Sequence, residues 1–276
     1  MERKGLDERG FIEREGALGN VGPDFRAVVA AARTAAARTY GRRLHSAYLY
    51  GSVPRGTARP GRSDLDLLLA LHEEPTAADR ESAARIGREL DREHQEIDGA
   101  GVLLFGRDTL LGEAERYDMG WFVACLCTPL LGDDLGEHLP RYRPDGLLAR
   151  ETNGDLAGRL PVWRARAGRA EGPAERRGLV RAYARKLVRT GFTLVMPRWG
   201  GWTSDLDRSA EIFGRYYPER ARQMREAAAL ALEPVADPAV LRAFTEDLGP
   251  WLAAEYASVI GTKGHRSPVA TAGQSR

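Results

Sequence analysis

Asp64 and Asp66 stand one residue apart in Ser63-Asp64-Leu65-Asp66-Leu67-Leu68-Leu69, at the head of an apolar run. On a β-strand alternate side chains share a face, and a rise of about 3.3 Å per residue puts the two α-carbons roughly 6.5 Å apart. Both carboxylates can then reach one divalent cation. Leu65 and Leu67 point the other way, and Leu68, Leu69 and Leu71 continue a run typical of a central, buried strand. Carboxylates at the end of such a strand must be neutralised, exposed or coordinated, because burying an unpaired charge is costly. Oxygen ligands of this kind suit magnesium, which takes one or two protein carboxylates and completes its shell with water and substrate phosphates.

Upstream, Gly51-Ser52 follows the apolar segment Ala47-Tyr48-Leu49-Tyr50. Glycine at that turn permits close backbone approach, and the serine offers a hydroxyl donor. Arg55, Arg59 and Arg62 occupy the loop that follows, and guanidinium forks match phosphate oxygens. Ser63 adds a further hydroxyl just before the first aspartate.

Gly51-Ser52, the eleven residues 53–63 and then Asp64-Leu65-Asp66-Leu67 resemble the signature of the DNA polymerase beta-type nucleotidyltransferase superfamily. The resemblance implies that the two acids bind magnesium, that the Gly-Ser turn holds a triphosphate, and that a third carboxylate on a neighbouring strand completes the site. That acid is expected in Glu96-Ile97-Asp98-Gly99-Ala100-Gly101-Val102, after a helix at about 77–94. Asp98 is the choice because it begins the apolar run; Glu96, on the same side of the strand, is the alternative. The expected catalytic and metal-binding set is therefore Asp64, Asp66 and Asp98. The nucleotide-binding set is Gly51, Ser52, Arg55, Ser63 and Lys186.

The elements that must position these residues are strands near 45–51, 63–71 and 96–105, with further contributions around 120–131, and an alanine-rich helix within 23–43. Past about residue 140 the patterns are helical, at about 150–169, 174–196, 206–216, 218–232 and 238–260. The expected fold is α/β (α+β): a small mixed-sheet nucleotidyltransferase domain over 22–139 and a helical-bundle, substrate-binding domain over 140–261. Loose termini are expected at 1–21 and 262–276.

The second half resembles, more weakly, the helical domain of aminoglycoside adenylyltransferases. The residues are Arg185-Lys186-Leu187-Val188-Arg189-Thr190-Gly191-Phe192, then Trp202-Thr203-Ser204-Asp205, Ala210, Phe213 and Tyr217-Pro218-Glu219. A Ser-Lys pair often found before that alanine is replaced by Leu206 and Asp207. Its phosphate contact is expected to pass to Arg208, Lys186 or Arg185. Trp199, Trp202, Phe213, Tyr216 and Tyr217 could stack on a ring, although core packing is the more frequent role of such a cluster.

With 276 residues, 43% hydrophobic and 29% charged, the chain can bury a sizeable core. A net charge of +2 creates no global field for nucleic acid, and Glu175, Glu211, Glu219 and Glu226 interrupt the arginine-rich stretches of the second half. Cys125 and Cys127 match no common zinc spacing and read as buried thiols. No apolar run approaches the roughly 20 residues of a membrane span, and the first residues lack an apolar signal region, so a cytoplasmic location without membrane contact is expected.

The expected activity moves a nucleoside monophosphate, AMP first among them, from ATP or another NTP to a hydroxyl of a small molecule such as an aminoglycoside-like antibiotic. Pyrophosphate leaves, and two Mg2+ ions assist. The alternatives are a toxin-like transferase acting on tRNA or a protein hydroxyl, and a non-catalytic nucleotide-binding module.

Overall fold

The sheet is built around one strand whose side chains are covered on both faces. The computed structural model describes residues 4–264. They form two compact units, Glu13–Tyr142 and the described parts of Met1–Ile12 with Arg143–Arg276. In the first unit, β1 (Leu44–Tyr50), β2 (Leu65–Leu71), β3 (Ala100–Gly106) and β4 (Thr128–Gly132) form a sheet of order β3-β2-β1-β4. β2 and β3 run parallel, and β1 is antiparallel to both β2 and β4.

The period of two along β2 sorts its residues between two cores. Leu65, Leu67, Leu69 and Leu71 pack with Val28, Val29, Ala32 and Ala36 of α1 (Arg26–Tyr40) and with Ala83, Ile86 and Leu90 of α3 (Ala77–Glu93). Leu68 and Ala70 pack on the other side with Tyr48, Leu110, Val123 and Leu135. Leu110 lies in α4 (Arg107–Leu111), and Val123 lies in α5 (Met119–Leu126). Each fully buried leucine contributes about 2 kcal/mol of hydrophobic stabilisation, so this strand fixes the sheet. Asp66 shares the face of Leu68 and Ala70 but is only half-buried, at the end where the covering stops.

α3 starts on a capping box. The Thr76 hydroxyl accepts from the Asp79 amide at 3.2 Å, and the Asp79 carboxylate accepts from the Thr76 amide at 2.8 Å. Arg43 donates to both oxygens of the same carboxylate, at 2.7 and 2.8 Å, tying the helix to the residues before β1. The Arg43 guanidinium, aided by Thr76, holds the buried Asp79 carboxyl well below the usual carboxylate range, against the opposing effect of its burial.

The loose N-terminus expected at 1–21 is a packed segment over the residues described. In the sheet unit, Arg14 pairs with Asp134 at 2.6 Å, the Glu15 amide donates to the Cys125 carbonyl at 2.7 Å, and Val21 is buried. In the other unit, Lys4 Nζ donates to the Trp199 carbonyl at 2.6 Å, Leu6 bridges Ile12, and Ile12 is buried. A polar composition concealed these anchors, because they run through backbone groups and distant ion pairs rather than an apolar stripe. Of the C-terminus expected to be loose, residues 265–276 lie outside the described residues.

The second unit is helical: α6 (Gly146–Asn153), α7 (Leu156–Arg169), α8 (Pro173–Trp199), α9 (Leu206–Tyr216), α10 (Ala221–Leu232), α11 (Pro238–Ala243) and α12 (Gly249–Val259), with a π-helical turn at Phe244–Leu248. α6, α9, α10 and α12 pack on the 27-residue α8, which is buried nearly all round over its second half. Tyr256 of α12 donates to the Ala149 carbonyl at 2.6 Å and lies 3.1 Å from the Thr193 hydroxyl, joining three helices. No helix among the described residues is long and apolar enough to cross a membrane.

Candidate active site

Asp66 is the centre of the candidate site, bordered by a glycine on β3 and by another in the turn that follows β1. In register it faces Tyr50 of β1 and Gly101 of β3. Directly after Tyr50 the chain turns at Gly51, with φ +83° and ψ −150°, and enters the short helix α2 (Ser52–Arg55). That backbone conformation is disfavoured for any side chain, and a β-carbon on Gly51 would lie 2.6 Å from Asp66 Oδ2. The glycine is therefore what lets the turn close against the carboxylate. On the other side, a β-carbon on Gly101 would lie 3.4 Å from Asp66 Oδ1.

Asp64 precedes β2 by one residue and is half-buried. A β-carbon on Gly99 would stand 3.6 Å from its Oδ1, and the Leu65 amide donates to the Gly99 carbonyl at 2.9 Å. The structure thus brings Asp64, Asp66, Gly51 and Ser52 to one end of the sheet. Arg55 follows in the same turn, where its Nε donates to the Gly51 carbonyl at 2.9 Å, and it lies 3.7 Å from Glu15. Ser63 accepts from the Arg59 amide at 2.9 Å, so its hydroxyl oxygen fastens the loop that leads into Asp64.

Two expectations are corrected. Asp98 does not join the pair: β3 begins only at Ala100, and Asp98 is exposed in the bend before it, its amide donating to the Ser63 carbonyl at 3.1 Å. Parity explains the miss. Ala100, Val102 and Leu104 face the α1 and α3 core, whereas Leu103 and Phe105 share the face of Asp66, so the even-numbered Asp98 was placed in the wrong half of the alternation. Glu96 is engaged elsewhere, with Oε1 2.9 Å from His94 Nδ1. Among the described residues no group of three or more His, Cys, Asp or Glu is arranged to hold a metal ion.

Lys186 is the second correction. Its ammonium is committed inside the helical unit, donating to Asn153 Oδ1 at 3.1 Å and to Asp155 Oδ1 at 2.7 Å. Burial pulls its pKa down to about 8, with the Asp155 charge opposing the drop. Burial raises the Asp155 carboxyl, but the charges of Lys186 and Arg159 outweigh it and hold the carboxyl below its usual range. A lysine occupied in this way is a structural cross-link between α6, α7 and α8.

Three of the five aromatic residues are likewise core, while Tyr216 and Tyr217 are half-buried. Trp199, Trp202 and Phe213 are buried; Phe192 meets both tryptophans edge-on, and Phe213 stacks on Tyr217 at 5.2 Å. Cys125 and Cys127 are free, buried thiols, and burial pushes the Cys125 pKa up to about 12.

Two half-buried carboxylates stand at one strand end, with the Gly51 turn after β1 closed onto Asp66 and Gly101 of β3 beside it. Residues 33–106, which contain the glycine-serine turn and the acidic strand end, match the family model of the nucleotidyltransferase domain. The match begins within α1 and runs through β1, the Gly-Ser turn, β2 and β3, and it makes this part of the chain a nucleotidyltransferase domain, of the enzyme class that transfers nucleotidyl groups. Among solved structures, the chain is similar to spectinomycin adenyltransferase AAD(9) from Enterococcus faecialis, determined with ATP and spectinomycin. The similarity has a TM-score of 0.55 at 13% sequence identity and covers 83% of this chain and 98% of that one. No curated protein matches the chain.

Proposed function

We propose that the protein transfers AMP from ATP to a hydroxyl of a small, aminoglycoside-like acceptor in the cytoplasm, releasing pyrophosphate. The observation that carries the reading is the closure of the Gly51 turn onto Asp66, with a β-carbon's space filled by the Asp66 carboxylate. Residues 22–139 serve as the nucleotide domain and the helices of 140–261 bind the acceptor. The similar adenyltransferase was determined with ATP and spectinomycin, which supports that choice of donor and acceptor class.

Asp64 and Asp66 would hold Mg2+, which when bound neutralises phosphate charge and polarises the phosphorus under attack. Gly51 and Ser52 present backbone and hydroxyl donors at the turn beside these carboxylates. Arg55 is anchored by its Nε to the Gly51 carbonyl, so its guanidinium edge is oriented by the same turn and would meet the β- and γ-phosphates. Ser63 and the Arg59 amide keep the intervening loop folded back, which fixes where Asp64 enters the site.

The reading is tested by incubating the protein with Mg2+ and each α-labelled triphosphate, then adding aminoglycosides, spectinomycin, lincosamides and tRNA in separate arms. Label is expected on an aminocyclitol or aminoglycoside acceptor, with ATP preferred. Transfer confined to tRNA would replace the small-molecule acceptor. Absence of transfer to every acceptor, from a protein shown to be folded, would remove the proposal.

A further inference from the structure

Tyr50, Asp66 and Gly101 stand in a row across the sheet. On β3 the residues that share the face of Asp66 are odd-numbered: Leu103 and Phe105 join the cluster around Leu68 and Ala70. Gly101 is the first of that series and the register partner of Asp66. It is therefore the position of β3 from which a side chain would stand beside that carboxylate. A β-carbon there would sit 3.4 Å from Asp66 Oδ1, and the position is exposed, so a longer side chain has room. The preceding place, beside Asp64, is Gly99, where a β-carbon would come within 3.6 Å of Asp64 Oδ1. Both positions lack a side chain, and the acids of the segment lie elsewhere, Asp98 exposed in its bend and Glu96 against His94.

We infer, on the reading given under Proposed function, that this chain binds a single divalent cation through Asp64 and Asp66. β3 supplies neither a ligand for a second cation nor a carboxylate to accept the proton of the acceptor hydroxyl. The inference departs from the two-cation, three-carboxylate arrangement expected from the sequence, and it rests on register: a glycine occupies the position that a third carboxylate would need.

Mn2+ is the probe. The full chain is titrated with Mn2+ in the presence of α,β-methylene-ATP, and the metal retained with the protein on ultrafiltration is counted, with the free ion followed by electron paramagnetic resonance. Wild type is expected to retain one Mn2+ per chain. Gly101→Asp and Gly101→Glu are expected to retain two, and Gly101→Asn, which adds a neutral side chain of similar size, is expected to stay at one. Melting curves establish that each variant is folded. Two ions in wild type, with one lost in Asp98→Asn or Glu96→Gln, would overturn the inference while leaving the nucleotidyltransferase site standing. Folded Gly101→Asp and Gly101→Glu that both stay at one would overturn the assignment of the gap to Gly101. No ion retained by wild type would overturn both this inference and the reading beneath it.

Discussion

Gly51→Ala separates the chemistry of the site from its stability. The substitution forces an alanine into φ +83°, which costs about 1–3 kcal/mol for a residue with a side chain. It also places a methyl group 2.6 Å from Asp66 Oδ2. Ordinary contact requires the carboxylate to retreat by about 0.8 Å, and a misplacement of that size in a reacting assembly costs on the order of a hundredfold in rate. Gly56→Ala is the control, because Gly56 is also left-handed at φ +74° and a β-carbon there would meet the Asn20 carbonyl at 3.0 Å rather than a carboxylate. Both variants are expected to melt at lower temperature, Gly51→Ala the more so because its φ and ψ lie outside the αL region that Gly56 occupies. Steady-state kinetics below both melting transitions should show kcat falling about a hundredfold for Gly51→Ala and by less than about threefold for Gly56→Ala. A folded Gly51→Ala with near-normal turnover, or equal losses in the two variants, would refute the reasoning.

Asp79→Asn should destabilise the sheet unit by about 2 kcal/mol at pH 7, a value reduced for the half-exposed Arg43 partner, as read by urea denaturation. The folded carboxyl titrates below its unfolded value, so on acidification the unfolded chain takes up the proton first. The stabilisation is full above about pH 4 and is lost as pH falls through the depressed folded value, and the variant should show a flatter acid limb. Lys186→Met should cost about 3 kcal/mol of stability by leaving Asp155 buried beside an apolar chain, and Lys186→Met with Asp155→Leu should recover most of it. Nucleotide affinity measured on folded protein should change by less than about threefold in that double variant; a large loss would restore Lys186 to the phosphate site.

Much of the site could be read before any coordinates because its signals are local. The alternation in Asp64-Leu65-Asp66-Leu67 predicts both acids on one side of a strand, of which Asp66 lies in β2 and Asp64 one residue before it, and the breaks at Gly51 and Gly61 mark the loop between the two strands. Asp98 failed for a reason that composition cannot reveal. The strand start at Ala100 is set by pairing to Leu65, not by the first apolar residue, and a shift of one position reverses every side chain. The same register, applied from Asp66 outward, would have pointed to Gly101. Lys186 misled because an isolated interior lysine can serve a ligand or a buried acid, and its partners Asn153 and Asp155 are more than thirty positions away. α8 was legible from its length, while the packing of residues 4–21 depends on contacts such as Arg14 with Asp134 that no local pattern announces.

The central claim is that the Asp66 carboxylate, seated against the Gly51 turn, is indispensable for nucleotidyl transfer. Transfer of label from α-labelled ATP to acceptor, measured in Mg2+ for wild type and Asp66→Asn at matched folded fraction, addresses it directly. The account predicts a fall on the order of a thousandfold with an unchanged melting temperature. Near-normal transfer by folded Asp66→Asn would contradict it.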